Sequence, residues 1–165
     1  MKKLEVFFDY ACPYCLRGHE FLLEILPKFP KIEVEWYPCE AHPRPEDHPP
    51  HSDLLARGMY IADDMGVDLA EYHLKMYKAA LKDHENIEEI GTVARLVEGL
   101  TTDSDKFRKT LLDGAYLGKL NENNQLAWEK YDFPAVPSFR MGEKLLKSVP
   151  GVGVTREMLE ELLRG

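Results

Sequence analysis

Residues 4–15, LEVFFDYACPYC, contain the two signals that decide the fold. The apolar content of residues 3–9 predicts a short buried strand that ends at an aspartate. Pro13 suits the first position of a helix, because its missing N–H would have no partner there. We therefore expect the chain to pass from a strand directly into a helix, with Cys12 at the junction.

Two cysteines flank that junction in the tetrapeptide Cys12-Pro13-Tyr14-Cys15. A thiol at a helix N-terminus is stabilised as the thiolate by the helix dipole and by free N–H groups, and the thiolate is the nucleophile in disulfide exchange. Cys15 lies one helical turn further and can reach back to Cys12. The pattern predicts redox chemistry, with Cys12 as the attacking thiol and Cys15 as the resolving thiol.

The rest of the chain predicts an α/β fold with a helical insertion. Apolar residues spaced by three and four continue the first helix to about Pro27. The expected elements that follow are a strand over residues 32–37, a proline-rich loop over 38–51, helices over 52–131 with starts at Asp68 and Asn86, strands over 138–141 and 144–149, and a last helix capped by Thr155. We therefore divide the chain into a βαβ part (1–51), a helical insertion (52–131) and a ββα part (132–165).

Bulk composition excludes several function classes. The chain has 165 residues, a net charge of −8 and three cysteines. The acidic balance disfavours nucleic acid and anionic membranes as partners. No apolar run approaches the roughly 20 residues of a membrane span, and the N-terminal stretch is too short for a signal peptide. A cytoplasmic protein is expected, as a monomer or homodimer.

A second candidate feature is Val136-Pro137, at the entry to a predicted strand. Proline is tolerated at the start of a strand, and in a tight turn it is a candidate for a cis peptide bond. Since Pro137 has no N–H, the adjacent backbone would remain free to pair with an extended peptide.

A zinc site is the main alternative to redox chemistry. Cys39 and His42 follow the second predicted strand, and with Cys12 and Cys15 they make a Cys₃His set. The chain would then be a zinc-stabilised binding module. Against this, Cys15 would be fixed inside a helix, whereas zinc ligands usually sit on a tight turn.

The quoted segment of residues 4–15, together with AVPSFRMGEKLL at residues 135–146, resembles the DsbA family, especially its FrnE-like cytoplasmic branch. The resemblance implies a thioredoxin-like fold with a helical insertion, and a thiol-disulfide oxidoreductase that acts on protein or small-molecule disulfides. It also implies that Pro13, Tyr14, Val136 and a cis Pro137 face the substrate.

The same family leaves an alternative open, because it includes glutathione-dependent transferases and isomerases. These have serine where Cys12 stands, so the two cysteines favour redox work. The resemblance implies neither a metal nor a cofactor, although glutathione could serve as a co-substrate. Pro13-Tyr14 is similar to the dipeptide of glutaredoxins, which indicates a less oxidising protein than periplasmic DsbA. The direction of electron flow stays open.

Three further side chains lie near enough in sequence to influence the thiolate. Asp9 could accept a proton or cap the turn after the strand, and we favour the cap. Arg17 and His19 lie on the first helix, where an exposed position is the simpler interpretation.

Overall fold

The computed structural model of the protein describes all 165 residues and is built on a four-stranded mixed sheet. The strand order is β2-β1-β3-β4, with β1 at Lys2–Phe8, β2 at Ile32–Pro38, β3 at Ser138–Met141 and β4 at Lys144–Leu146. β1 pairs in parallel with β2 and antiparallel with β3, and β3 pairs antiparallel with β4. This is the mixed sheet that the sequence predicts.

Seven α-helices surround the sheet. Helix α1 (Pro13–Ile25) connects β1 to β2, and α7 (Arg156–Arg164) follows the last strand. The segment between β2 and β3 contains α2 (Asp53–Asp64), α3 (Leu69–Leu81), α4 (Ile90–Val97), α5 (Ser104–Leu112), α6 (Leu117–Gln125) and a π-helical turn at Leu126–Lys130. No helix combines the length and the apolar character that crossing a membrane requires.

The sheet and the inserted helices share one hydrophobic core. Strand β1 is central in the sheet, and its Leu4 and Phe7 are fully buried. A single cluster of 35 buried residues runs from this strand into the inserted helices, where it includes Tyr72 and Val93. The helical segment therefore stabilises the sheet by burying apolar surface that the sheet exposes.

The helix boundaries follow from identifiable caps, with one correction. Asp68 accepts a hydrogen bond from the N–H of Ala70 at 2.9 Å, and Thr155 accepts one from Met158 at 3.1 Å, so both predicted helix starts are confirmed. The start predicted at Asn86 is wrong, because α4 begins at Ile90. Residues 84–89 are non-helical, with a turn at residues 87–88, and Ile87 is fully buried in the core.

Strand β4 is shorter than the sequence predicts. It ends at Leu146, and the chain beyond it folds into a tight loop in which Val149 bridges to Gly153. This loop brings residues 150–152 back towards the start of α1, where they contribute to the site described below.

Gly58 in α2 marks the closest approach of three inserted helices. A Cβ atom at this position would lie 2.5 Å from the Tyr72 hydroxyl oxygen and 2.9 Å from Phe107. The Tyr72 hydroxyl cannot move freely, since it donates a hydrogen bond to the Leu55 carbonyl at 2.7 Å.

We expect Gly58→Ala to lower the free energy of unfolding by about 1–3 kcal/mol, because overpacking outweighs the better helix propensity of alanine. Urea unfolding followed by circular dichroism measures the change. The matched control is Gly118→Ala in α6, where nothing lies within 4 Å of the added methyl group. The control should be stabilised by up to about 1 kcal/mol. An equal gain in both variants would contradict the packing interpretation.

Candidate active site

Cys12 lies at the junction between β1 and α1. It is the N-cap residue of α1, with an extended backbone (φ −103°, ψ 117°), and Pro13 occupies the first helical position. Its carbonyl accepts hydrogen bonds from the N–H groups of Cys15 at 3.1 Å and Leu16 at 3.3 Å. The helix therefore begins as the sequence predicts, with the sulfur beside its N-terminus.

The environment of Cys12 favours the thiolate. The hydrogen bond from the Cys15 thiol is the largest influence, and with the backbone N–H groups of Cys15 and Tyr14 it lowers the pKa of the Cys12 thiol. Burial and the nearby charge of Asp9 oppose this effect without reversing it. A depressed pKa on a half-buried thiol is typical of an attacking cysteine.

Cys15 has the opposite character. It is 1% exposed, and burial, followed by its interactions with Cys12, raises the pKa of its thiol well above the usual range. The backbone N–H of Asp9 points to the Cys15 sulfur at 3.4 Å and partly offsets this rise. Both thiols are free in this structure. One thiol is therefore activated and accessible, and its neighbour is protected.

The Asp9 side chain connects two loops. Its carboxylate accepts one hydrogen bond from the N–H of Ala11 at 2.8 Å and one from the N–H of Ala41 at 2.9 Å. Only 5% of the residue is exposed. Because both carboxylate oxygens are occupied by backbone groups, the geometry is that of a cap.

The Val136–Pro137 segment lies against the dithiol. Its peptide bond is cis, and the Cys12 thiol lies 3.7 Å from the Val136 carbonyl oxygen. Pro137 packs on α1 at Gly18, where a Cβ atom would lie 2.9 Å from the proline ring. Gly18 therefore permits the close approach that places Val136 beside Cys12.

Ser138 stabilises the Val136–Pro137 segment through two hydrogen bonds of its hydroxyl group. Its hydroxyl donates to the Ala135 carbonyl at 2.7 Å and accepts from the Ser148 N–H at 3.0 Å. Ser138 is fully buried at the start of β3. The loop that carries Pro137 is thus fixed to the sheet and to the loop after β4.

A cleft of about 570 Å³ opens beside Cys12. Tyr14 lies at one side, 38% exposed, and its hydroxyl donates to the Gly151 carbonyl at 3.2 Å. The cleft is lined by Asp9, Ala11, Cys12, Pro13, Tyr14, Ala41, His42, His48, Pro49, Pro50, Ser52, Trp128, Pro134, Ala135, Val136, Pro150 and Gly151. Four of the six residues that the sequence assigns to the site line this cleft, while Cys15 is buried and Pro137 packs on α1 at Gly18.

The structure does not support the zinc alternative. No group of three or more histidine, cysteine, aspartate or glutamate side chains has an arrangement that could hold a metal ion. Cys39 is fully buried, while His42 contacts the Glu46 carboxylate at 2.7 Å. Cys12, Cys15, Cys39 and His42 therefore do not form a ligand set, because Cys15 is held in the helix and His42 is held in the loop.

Arg17 and His19 do not reach the thiolate. Arg17 donates to the Val152 carbonyl at 2.5 Å on the exposed side of α1. His19 is 8% exposed and packs against Trp36 and His73, so burial lowers its pKa to about 4. The expectation of an exposed position is wrong for His19, because its helical face points into the inserted helices.

Tyr10 connects the active-site turn to the same buried group. Its hydroxyl lies 2.8 Å from Nδ1 of His73 in α3. Burial, with a smaller contribution from His19, lowers the pKa of His73 to about 3, so the imidazole is neutral at physiological pH. Tyr10, which lies between Asp9 and Ala11 in the chain, is thus buried among the inserted helices.

The proline-rich loop over residues 38–51 forms one wall of the cleft, and a cluster of charged side chains fixes it in place. His51 contacts the Glu88 carboxylate at 3.0 Å through Nδ1 and the Glu46 carbonyl at 2.7 Å through Nε2. Both partners are acceptors, so the protonated imidazole satisfies them best. Arg44 also contacts Glu88, at 2.9 Å, and Asp53 at 3.3 Å.

Sequence reasoning missed the roles of Trp128 and Gly18. Trp128 lies in a π-helical turn, where it packs against the core and also lines the cleft. Such turns recur at functional sites, although no residue pattern here announces one. Gly18 did carry a signal, since a glycine inside a helix costs stability and usually has a packing reason.

Together the mixed sheet, the activated thiol at a helix start and the proline segment beside it define a class of protein, the thiol-disulfide oxidoreductases of thioredoxin-like fold. The chain belongs to the DSBA-like thioredoxin domain family, whose sequence model matches residues 3–163. The predicted family and the predicted α/β fold with a helical insertion are therefore confirmed.

Individual proteins resemble the chain over nearly its whole length. YwbO of Bacillus subtilis (strain 168) is 23% identical over an alignment of 193 positions that covers 96% of each chain. The probable DsbA oxidoreductase SCO1869 from Streptomyces coelicolor superposes with a TM-score of 0.82 at 16% identity, covering 99% of this chain and 88% of that one. The cytosolic disulfide reductase DsbM from Pseudomonas aeruginosa gives 0.69 at 15% identity, covering 98% of both.

Cys15→Ala should raise the pKa of the Cys12 thiol, because the largest stabilising hydrogen bond to the thiolate is lost. The pH dependence of alkylation by iodoacetamide, read by mass spectrometry at Cys12, measures this. Cys39→Ala is the matched control, since it removes a buried thiol that is not among the groups that lower the pKa of Cys12. An unchanged Cys12 pKa in Cys15→Ala would contradict the proposed source of activation.

The His51 cluster should make stability depend on pH. The carbonyl of Glu46 and the carboxylate of Glu88 raise the pKa of His51 above 6.5. This stabilisation is fully present below pH 6.5 and is lost as the pH rises through the folded-state pKa. The melting temperature of Glu88→Gln should therefore fall below that of the wild type at pH 6, and the gap should narrow towards pH 9.

The control for this experiment is Glu85→Gln. Glu85 pairs with Arg95 at 2.6 Å, and an arginine does not titrate in this range. Its effect on the melting temperature should stay constant from pH 6 to pH 9. A constant gap for Glu88→Gln as well would show that His51 is not the titrating group.

Proposed function

We propose that the protein exchanges disulfides through Cys12 as the nucleophile and Cys15 as the resolving thiol. The observation that carries this proposal is that the pKa values of the two thiols are shifted in opposite directions. The pKa of Cys12 is lowered in a half-buried sulfur that borders the cleft, whereas that of Cys15 is raised in a buried one.

In the first step the Cys12 thiolate attacks one sulfur of a substrate disulfide. A bond forms between Cys12 Sγ and that sulfur, the substrate S–S bond breaks, and the second substrate sulfur leaves as a thiolate that takes a proton from water. Tyr14 and the Val136 backbone border the reacting sulfur. The Val136 N–H makes no hydrogen bond within the chain, and its carbonyl accepts only from the Cys12 thiol, which gives up that bond on becoming a thiolate, so an extended substrate can pair with this backbone.

In the second step Cys15 attacks Cys12 Sγ. Its thiol proton passes to water, the bond between Cys12 and the substrate breaks, and the substrate leaves with two electrons from the dithiol as a Cys12–Cys15 disulfide forms. Part of the raised pKa of Cys15 comes from the Cys12 thiolate. The mixed disulfide removes that part, while the Asp9 N–H still favours the Cys15 thiolate. The Cys15 thiol thus ionises more readily in the mixed disulfide, which is the state in which it attacks Cys12.

This chemistry needs no metal and no bound cofactor, and it runs in either direction. We assign the substrates to protein or small-molecule disulfides and the compartment to the cytoplasm, where thiols are kept reduced. The structural neighbour DsbM is described as a cytosolic disulfide reductase, which supports a reducing role. Glutathione is the candidate thiol for returning the Cys12–Cys15 disulfide to the dithiol.

Insulin reduction with dithiothreitol as the electron donor tests the proposal. Cys12→Ser should abolish the catalysed rate, because no nucleophile remains. Cys15→Ser should accumulate a mixed disulfide at Cys12 that non-reducing electrophoresis and mass spectrometry detect. Cys39→Ser should retain the wild-type rate, since the buried Cys39 takes no part. If Cys12→Ser keeps the wild-type rate, the assignment fails.

The same variants separate this function from the glutathione-dependent transferase or isomerase. That activity would survive loss of Cys15, whereas multiple-turnover disulfide exchange through an intramolecular Cys12–Cys15 disulfide would not.

A further inference from the structure

The peptide that joins Glu40 to Ala41 is held from two sides. Its N–H, which belongs to Ala41, donates to Oδ2 of Asp9 at 2.9 Å. Its C=O, which belongs to Glu40, accepts from the indole N–H of Trp128 at 3.0 Å. The peptide is trans, so its C=O and N–H point in opposite directions within one rigid plane. The bond from Trp128 therefore helps to fix the direction in which the Ala41 N–H points.

Asn124 holds the preceding peptide by its N–H and also contacts the Glu40 side chain. The side-chain oxygen of Asn124 accepts from the Glu40 N–H at 2.8 Å, and its amide nitrogen donates to the Glu40 carboxylate at 3.2 Å. Asn124 and Trp128 are four positions apart, so they face the same side of their helix. The end of the insertion thus binds Glu40 at its N–H, its C=O and its side chain.

We propose that Trp128 and Asn124 are positioning residues, which hold the Ala41 N–H on the Asp9 carboxylate and thereby weaken the negative field that Asp9 presents to Cys12. This inference deepens the proposed function and rests on it, because it concerns the nucleophile of that reaction. It gives the inserted helices an influence on the reactivity of a thiol that they do not contain.

The charge of Asp9 matters because it acts on the attacking thiol. The hydrogen bond from the Cys15 thiol is the largest influence on the pKa of Cys12 and lowers it, while burial and the charge of Asp9 raise it. An N–H group directed at a carboxylate places the positive end of its dipole beside the negative charge. Asp9 has one such bond from Ala11, two positions away, and a second from Ala41. Only the second depends on contacts with the inserted helices.

Other titratable groups also surround Cys12 and come from several elements of the fold. They are Cys15 on α1, Cys39 after β2, Tyr77 on α3, and His42 and His48 in the proline-rich loop. The side chains of Trp128 and Asn124 hydrogen-bond to none of them. An effect of either residue on the Cys12 thiol is therefore expected to pass through Asp9.

The test measures the pH dependence of Cys12 alkylation by iodoacetamide, read by mass spectrometry, in Trp128→Phe. This variant keeps an aromatic ring but lacks the indole N–H. Its profile should move to higher pH, and alkylation on the acidic side should slow by about threefold, the effect on the thiolate fraction of a pKa raised by about 0.5. Asn124→Ala should move the profile in the same direction. In both variants the redox equilibrium with glutathione should move towards the Cys12–Cys15 disulfide, because the dithiol loses stabilisation.

Two matched controls should keep the wild-type profile. Trp36→Phe removes the other tryptophan, which packs against His73 and does not line the cleft. Gln125→Ala changes the exposed neighbour of Asn124 on the same helix.

A double-mutant cycle separates a path through Asp9 from a general loosening of the fold. Asp9→Asn removes the charge and should move the profile to lower pH. In that background Trp128→Phe should leave the profile unchanged, because no carboxylate remains for the Ala41 N–H to stabilise. Equal shifts from Trp128→Phe in both backgrounds, or no shift in the wild-type background, would overturn the proposal.

A measurement on the unaltered protein keeps the proposal testable if a variant fails to fold. The Ala41 amide and the Trp128 indole N–H should both be protected from exchange with deuterium oxide, by at least about tenfold relative to an unstructured peptide. Unprotected exchange at either group would contradict the proposed contacts. Failure of the wild-type protein to reduce insulin would instead overturn the proposed function, while alkylation and exchange would still decide the positioning role.

Discussion

The carboxylate of Asp9 is the interaction on which the site depends. Parallel pairing of β1 with β2 brings the ends of both strands to one edge of the sheet, and Asp9 joins the two loops that follow by accepting from Ala11 and Ala41. The backbone of Asp9 also accepts from the Cys12 N–H at 3.1 Å and donates to the Cys15 sulfur. One residue thus fixes the turn, both thiols and the proline-rich wall.

This arrangement has an electrostatic cost. A buried carboxylate close to Cys12 raises the pKa of the very thiol that must ionise, and it raises that of Cys15 as well. The start of α1 compensates at Cys12, where backbone N–H groups and the Cys15 thiol converge on the sulfur. At Cys15 burial adds to the charge of Asp9 instead. The two pKa values therefore diverge because of the helix start and of burial, and not because of Asp9, which raises both.

The sequence predicted the start of α1 and singled out Val136-Pro137, but it did not predict the contacts that bring the two together. A strand that runs into Pro13 is a local pattern, so the helix start beside Cys12 could be predicted from residues 4–15. The approach of Pro137 to Gly18 joins residues more than a hundred positions apart, and no periodicity encodes it. Trp128 packs against the core but also lines the cleft from a π-helical turn, which no residue pattern here predicts.

The inserted helices contact the active site directly and help to fix its geometry. Tyr10 extends from the active-site turn into α3 and reaches His73, while Trp128 returns from the end of the insertion to border Cys12. Neither contact would survive if the helices moved as a separate lid, because Tyr10 is fully buried and would be exposed to water. Because Tyr10 lies between Asp9 and Ala11 in the chain, a shift of the inserted helices would also move the hydrogen bond from the Ala11 N–H to the Asp9 carboxylate. The helical segment and the dithiol turn therefore form one packed unit.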